Sequence, residues 1–167
     1  MQISHIKYFQ NWIPIIGKWM YEEWSYAFPS RTLQDIQKNL FGRMNENEMP
    51  ITLVAHDERG VLGTASLKAS DMESLPALTP WLSSVFVHPE HRGEGIAREL
   101  AAEIEKTARQ MGYTKLYVFN PVSQGVFQSL GWSVMQTLEY GGKELAILLK
   151  DLSAPPERNP RPATKPG

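Results

Sequence analysis

The chain has no cysteine among its 167 residues, which excludes disulfide staples, thiolate metal sites and any acyl-enzyme carried on sulfur. It also lacks an excess of either charge, since 17 Lys and Arg against 18 Asp and Glu leave a net charge of −1. Without a basic stripe there is no electrostatic case for nucleic acid or an anionic membrane as partner. Long apolar runs are missing too. The longest, Trp12-Ile13-Pro14-Ile15-Ile16, falls far short of the roughly 20 residues a membrane-spanning helix needs, and proline interrupts it. Met1-Gln2-Ile3-Ser4-His5 has neither a basic start nor an apolar core, so no signal peptide is expected and the cytoplasm is the default location.

A hydrophobic share of 42% in a chain of this length suits one domain with a fair core. The expected domain runs from 1 to 152. Ser153 to Gly167 has five prolines among mostly polar residues and reads as a disordered tail. No internal repeat is present.

The front half reads as one strand, two helices and a hairpin. Ile3 to Phe9 suits a strand. Asn11 can cap a helix running to about Ala27, and Ser30 a second over Thr32 to Met44. Ile51 to Ala55 and Val61 to Ala69 form a hairpin around Asp57-Glu58-Arg59-Gly60. The second half reads as strand (Trp81 to His88), helix, strand (Tyr113 to Phe119), short helix and a closing hairpin turned at Gly141-Gly142. This order predicts an α+β layered fold on a mixed sheet of about seven strands, with helices on both faces.

The densest signal is His91-Arg92-Gly93-Glu94-Gly95-Ile96-Ala97. It lies between a strand and a helix whose apolar residues, Ile96, Ala97, Leu100, Ala101 and Ile104, recur at one-faced spacing. Glycines here let the backbone turn tightly or approach a ligand. Free N–H groups at a helix start suit an anion, and a pyrophosphate best of all. A P-loop would end Gly-Lys-Ser/Thr, which Gly95-Ile96-Ala97 does not. A dinucleotide fingerprint would need a small residue where Arg98 stands and an acid where Leu116-Tyr117-Val118 stands.

Arg92-Gly93-x-Gly95-x-Ala97 resembles the acetyl-coenzyme A pyrophosphate motif of the GNAT family of N-acetyltransferases. Val126-Phe127-Gln128-Ser129-Leu130-Gly131-Trp132 is similar to the Phe-Tyr-x-x-Leu-Gly-Phe/Trp signature of the same family. The two stand in the family's order and separation, and the resemblance extends over about Met1 to Leu152. It implies a slot for the pantetheine arm where the fourth and fifth strands splay apart. The slot would lie between Val85-Phe86-Val87 and Phe119-Asn120, with the pyrophosphate cradled by Arg92 through Arg98. Backbone groups of Phe86 and Val87 would polarise the thioester carbonyl. Asn120 equally suits a turn before Pro121.

The implied activity is direct transfer of an acetyl group from acetyl-coenzyme A to a primary amine of a small molecule or peptide, without a metal. The different-class alternative is a silent acyl-coenzyme A-binding module. The amine must lose a proton; Glu22, Glu23, Asp71, Glu73 and His88 are the candidates near the expected slot, and Asp71 is preferred because it follows the third strand and faces the Trp81 region in such folds. Where the family places a proton-donating tyrosine this chain has Phe127. Ser123 or Tyr117 could serve instead, or the thiolate could leave unassisted. Phe127 also fits the core by its helical spacing with Leu130. Glu23, Trp24, Tyr26 and Trp81 are the expected acceptor contacts, an aromatic and acidic set suited to a small cationic amine or a peptide N-terminus. A monomer or homodimer is expected.

Overall fold

The computed structural model describes residues 1–119, 124–140 and 142–153. Seven strands form one mixed sheet in the order β1-β2-β3-β4-β5-β7-β6. The strands are β1 (Gln2–His5), β2 (Ile51–Asp57), β3 (Gly60–Lys68), β4 (Trp81–Val87), β5 (Lys115–Phe119), β6 (Ser133–Tyr140) and β7 (Lys143–Asp151). Every neighbouring pair is antiparallel except β4 and β5, which run parallel. The expected architecture, with its slot at the β4–β5 junction, is present.

Period-two alternation sorts the strand residues between two helical layers. Leu53, Leu82, Leu116 and Leu148 face α3 (Ile96–Gln110) and α4 (Gln124–Ser129) in the larger core. Val54 and Phe86 face α1 (Ile13–Trp24) and α2 (Leu33–Phe41) in a second cluster. A third cluster on this second face joins Met72, Trp81, Tyr117 and Ile147. Gly17 brings α1 onto α2, for a Cβ there would stand 2.8 Å from Cγ of Gln37.

Several boundaries differ from the sequence reading, most of all at the starts of the front elements. The first strand ends at His5, and Ile6–Trp12 winds as 3-10 helix into α1, with Phe9 off helical geometry. Asn11 caps nothing: Trp12 is the N-cap and Pro14 occupies the first turn, where its missing N–H costs no bond. Thr32, not Ser30, caps α2, through a reciprocal capping box with Asp35. The Gly141 half of the expected hairpin turn and the segment 154–167 lie outside the described residues.

Candidate active site

The parallel ladder between β4 and β5 is only two rungs long, Trp81 with Tyr117 and Leu82 with Val118. Beyond it β4 continues to Val87 with no strand on that side among the described residues, while β5 runs to Phe119. What turns β4 away is a bulge. Ser66 pairs with Ser83 and Thr64 with Phe86, so Ser84 and Val85 together oppose Ala65. Ser84 takes a left-handed φ of 55°, a conformation that costs a residue with a Cβ about 1–2 kcal/mol. Bulges break the ladder and re-aim the strand, and this one leaves the backbone of Val85, Phe86 and Val87 along the slot.

Two close approaches hold the far end of β4. Gly63 on β3 lies so near that a Cβ would meet the Phe86 carbonyl oxygen at 2.8 Å and Ile96 Cγ2 at 3.4 Å. The His88 N–H then donates to the Leu62 carbonyl at 2.9 Å, and a 3-10 turn over Pro89–His91 leads into the glycine loop.

In that loop Gly93 and Gly95 have φ of 83° and 82°. A Cβ on either would meet nothing within 4 Å, so the backbone twist, not crowding by the protein, requires glycine, and the space above the loop is open. Gly95 is the N-cap of the 15-residue α3 and supplies no side-chain cap. The first N–H groups of α3 therefore face that space with the positive end of the helix dipole. Arg92 Nε donates to the Val87 carbonyl at 3.0 Å, and its guanidinium lies 5.5 Å from the centre of the Phe86 ring. Arg98 reaches across to Ser129 Oγ at 3.1 Å. Arg92 to Arg98, the loop residues expected from sequence, thus form the turn into α3 beside the β4–β5 opening. His88, Glu90 and His91 bring donor atoms within 4.8 Å of one another on the turn before it.

A cleft of about 440 Å³ opens on the α1 side, with Trp19, Glu22, Glu23, Phe86, His88 and Arg92 among its lining residues. Glu23 is therefore placed on this cleft, and Trp24 meets Phe86 edge-on at 6.2 Å. Tyr26 is 63% exposed, and Lys143 of β7 lies 4.5 Å from its ring centre, so the segment after α1 touches the closing hairpin. Trp81 corrects the expectation of an acceptor contact: it is fully buried, and its indole N–H donates to the Leu78 carbonyl. Its size and partnered N–H make it a core residue.

Phe127 is also enclosed, 3% exposed, edge-on to Trp132 at 5.4 Å. Tyr117 stacks at an angle with Trp81, its rung partner, at 5.6 Å and shares that face of the sheet. Asn120 and Ser123 lie outside the described residues.

Asp71 lies beside the bulge. Its Oδ1 accepts from Ser83 Oγ at 2.7 Å and from Lys68 Nζ at 3.4 Å. Sequence reasoning missed the remainder of this polar patch. Thr52, Ser66 and Ser83 are register neighbours across β2, β3 and β4, all on the α1–α2 face. Thr52 and Ser66 share a 2.7 Å hydroxyl bond. Arg43, just past α2, donates through Nη1 to Ser66 at 3.3 Å and Ser84 at 3.1 Å, and through Nε to Asn39 at 3.3 Å. The hydroxyls alternate with Ile51, Leu53, Ala65, Leu67 and Leu82 in the sequence, but only the strand pairing sets them side by side.

A parallel junction that opens after two rungs, a bulged strand on one lip and a glycine-built helix start below it define an acyl-coenzyme A-binding acetyltransferase fold. Residues 13–132 match the acetyltransferase (GNAT) family, and the chain belongs to that family. An 83-residue stretch is 34% identical to N-acetyltransferase 8B of Homo sapiens, covering 47% of this chain and 37% of that protein. The chain thus spans well under half the length of the curated relative it matches. An N-acetyltransferase from Staphylococcus aureus Mu50 superposes with a TM-score of 0.71 at 20% identity, over 90% of this chain and 98% of that one. YncA from Salmonella typhimurium, whose structure includes its cofactor acetyl-CoA, gives 0.71 at 20% identity over 96% and 99%. Both likenesses are of fold.

Proposed function

We propose that the protein transfers the acetyl group of acetyl-coenzyme A directly to a primary amine. The observation that carries this reading is the opened β4–β5 junction with the Gly93–Gly95 helix start at its foot. N–H groups there would hold the pyrophosphate, and the Val85–Val87 backbone would pair with the pantetheine arm and polarise the thioester carbonyl, favouring the tetrahedral intermediate. The amine lone pair attacks the carbonyl carbon, the carbon–sulfur bond breaks, and coenzyme A leaves as thiolate. With no cysteine in the chain, the acyl group needs no sulfur station on the protein.

Asp71 is the proposed proton acceptor, acting through water. Ser83 ties it to the residue next to the bulge, on the same face of the sheet as Tyr117. Tyr117 is the proposed donor to the departing thiolate. Phe127 has no proton to give, and helical packing accounts for its place. The cytoplasm is the proposed location; among the described residues no helix is long and apolar enough to cross a membrane.

The test is release of free thiol from acetyl-coenzyme A across a panel of primary amines, with mass spectrometry of the acetylated product. Amine-dependent release is expected, and Asp71→Asn should lower kcat by about 10²-fold or more while coenzyme A affinity holds. Tight coenzyme A binding with no product from any amine would favour a silent acyl-coenzyme A-binding module instead.

A further inference from the structure

The patch around Arg43 holds more positive charge than the fold requires. Arg43 is 6% exposed, and among the described residues its nitrogens meet only neutral acceptors, Asn39, Ser66 and Ser84. Its Nη2 meets no acceptor among those residues. The carboxylate that acts on it electrostatically, Asp71, is already engaged by Lys68 and Ser83. Lys68 is itself largely enclosed, and burial first, then Arg43 and Arg31, holds its pKa below the ordinary lysine value against the pull of Asp71. Two enclosed cations therefore share one carboxylate. Arginine stays charged under such conditions, and a buried charge without a full partner is costly to keep. A hydrophobic residue of similar volume would fill the space after α2 at lower cost.

The excess sits beside Asp71, the proton acceptor of the proposed function, to which Lys68 is bound. Arg43 holds the hydroxyl of Ser84, the left-handed residue of the bulge, and Asp71 is hydrogen-bonded to the residue before it. An amine nitrogen near Asp71 would thus have a guanidinium and an ammonium a few bonds away. Planar Arg donors suit a carboxylate, and one surplus unit of charge matches one carboxylate. We infer that the acceptor is a primary amine carrying a carboxylate close to its nitrogen, as in an α-amino acid, and that Arg43 and Lys68 bind that carboxylate. This rests on the acetyl-transfer reading and adds the acceptor class to it. A small purely cationic amine, which the aromatic and acidic residues of α1 suggest, would meet like charge at this end.

The test compares L-leucine, L-leucinamide and 3-methylbutylamine as acceptors, in kcat/KM for thiol release. L-Leucine should exceed both by about tenfold or more, the usual weight of a charge-assisted hydrogen bond. Lys68→Met and Arg43→Gln should each remove most of that preference, with coenzyme A affinity and near-ultraviolet circular dichroism as controls for the fold. Equal rates for the three amines, or a preference unchanged in both variants, would overturn the inference while leaving acetyl transfer standing. If no amine turns over, N-acetyl-L-leucine and N-acetyl-L-leucinamide titrated into the coenzyme A-loaded protein decide separately. Binding of the carboxylate form alone, weakened by Lys68→Met, supports the Arg43–Lys68 site, and equal binding of both forms refutes it. Should Arg43→Gln not fold, Arg43→Lys and Lys68→Met answer the question by the same comparison.

Discussion

Ser84 and Gly63 form the slot from opposite strands. Ser84 accepts a strained backbone so that β4 can bulge, and the Arg43 bond helps hold it there. Gly63 does the converse: its lack of a Cβ allows β3 to come against the Phe86 carbonyl and the first residue of α3. A methyl group at Gly63 has backbone to displace, not a flexible side-chain tip. Gly63→Ala should therefore move the lip of the slot and the helix start together. The melting temperature should fall by about 2–8 °C, and calorimetry should show coenzyme A affinity weakened by at least about tenfold. Unchanged affinity in a folded variant would mean that β3 does not position the lip. Phe127 shows the opposite economy, because a side chain placed by a functional signature is also a packed core ring against Trp132.

Among the elements, those with local causes were legible in the sequence. The glycine loop and α3 follow from a few neighbouring residues, since left-handed turns and one-faced helices are short-range properties. Thr32-Leu33-Gln34-Asp35 carries the α2 capping box locally, two residues on from the Ser30 cap expected from the sequence, and the reciprocal bonds of Thr32 and Asp35 fix the helix start. The bulge at Ser84 and the hydroxyl row were not legible, because both depend on which residues of β2, β3 and β4 stand opposite one another. Arg43 came into the site for the same reason, carried there by the packing of α2 on the sheet. At the other edge, His56 ties β2 to β1 and the 3-10 segment through Ser4 Oγ at 2.9 Å and the Phe9 ring at 4.5 Å. Burial, then the N-terminal charge, holds its pKa below the ordinary 6.5, with Asp57 opposing. The unfolded chain thus takes up this proton first, so the stability contribution is complete above about pH 6.5 and is lost as pH falls toward the depressed folded value. Melting temperature should decline from pH 7 to 5, and His56→Phe should flatten part of that slope; an identical slope would remove His56 as its source.

At the scale of the whole molecule, the proposed function would use one sheet face for the cofactor and the other for the acceptor. The helix that packs the larger core, α3, also presents its first N–H groups at the slot, so stability and the proposed pyrophosphate binding would share an element. On the opposite face, two apolar clusters flank the Arg43–Lys68–Asp71 patch, which meets the slot at the bulge. Everything in this arrangement depends on coenzyme A seating its pyrophosphate at Gly93–Gly95. Isothermal titration of coenzyme A into the wild-type chain and into Gly93→Val and Gly95→Val is the most direct test. Saturable binding by the wild type, lost or weakened by at least about tenfold in both folded variants, is the expected result. Equal affinity in all three proteins would contradict it and remove the cofactor from this loop.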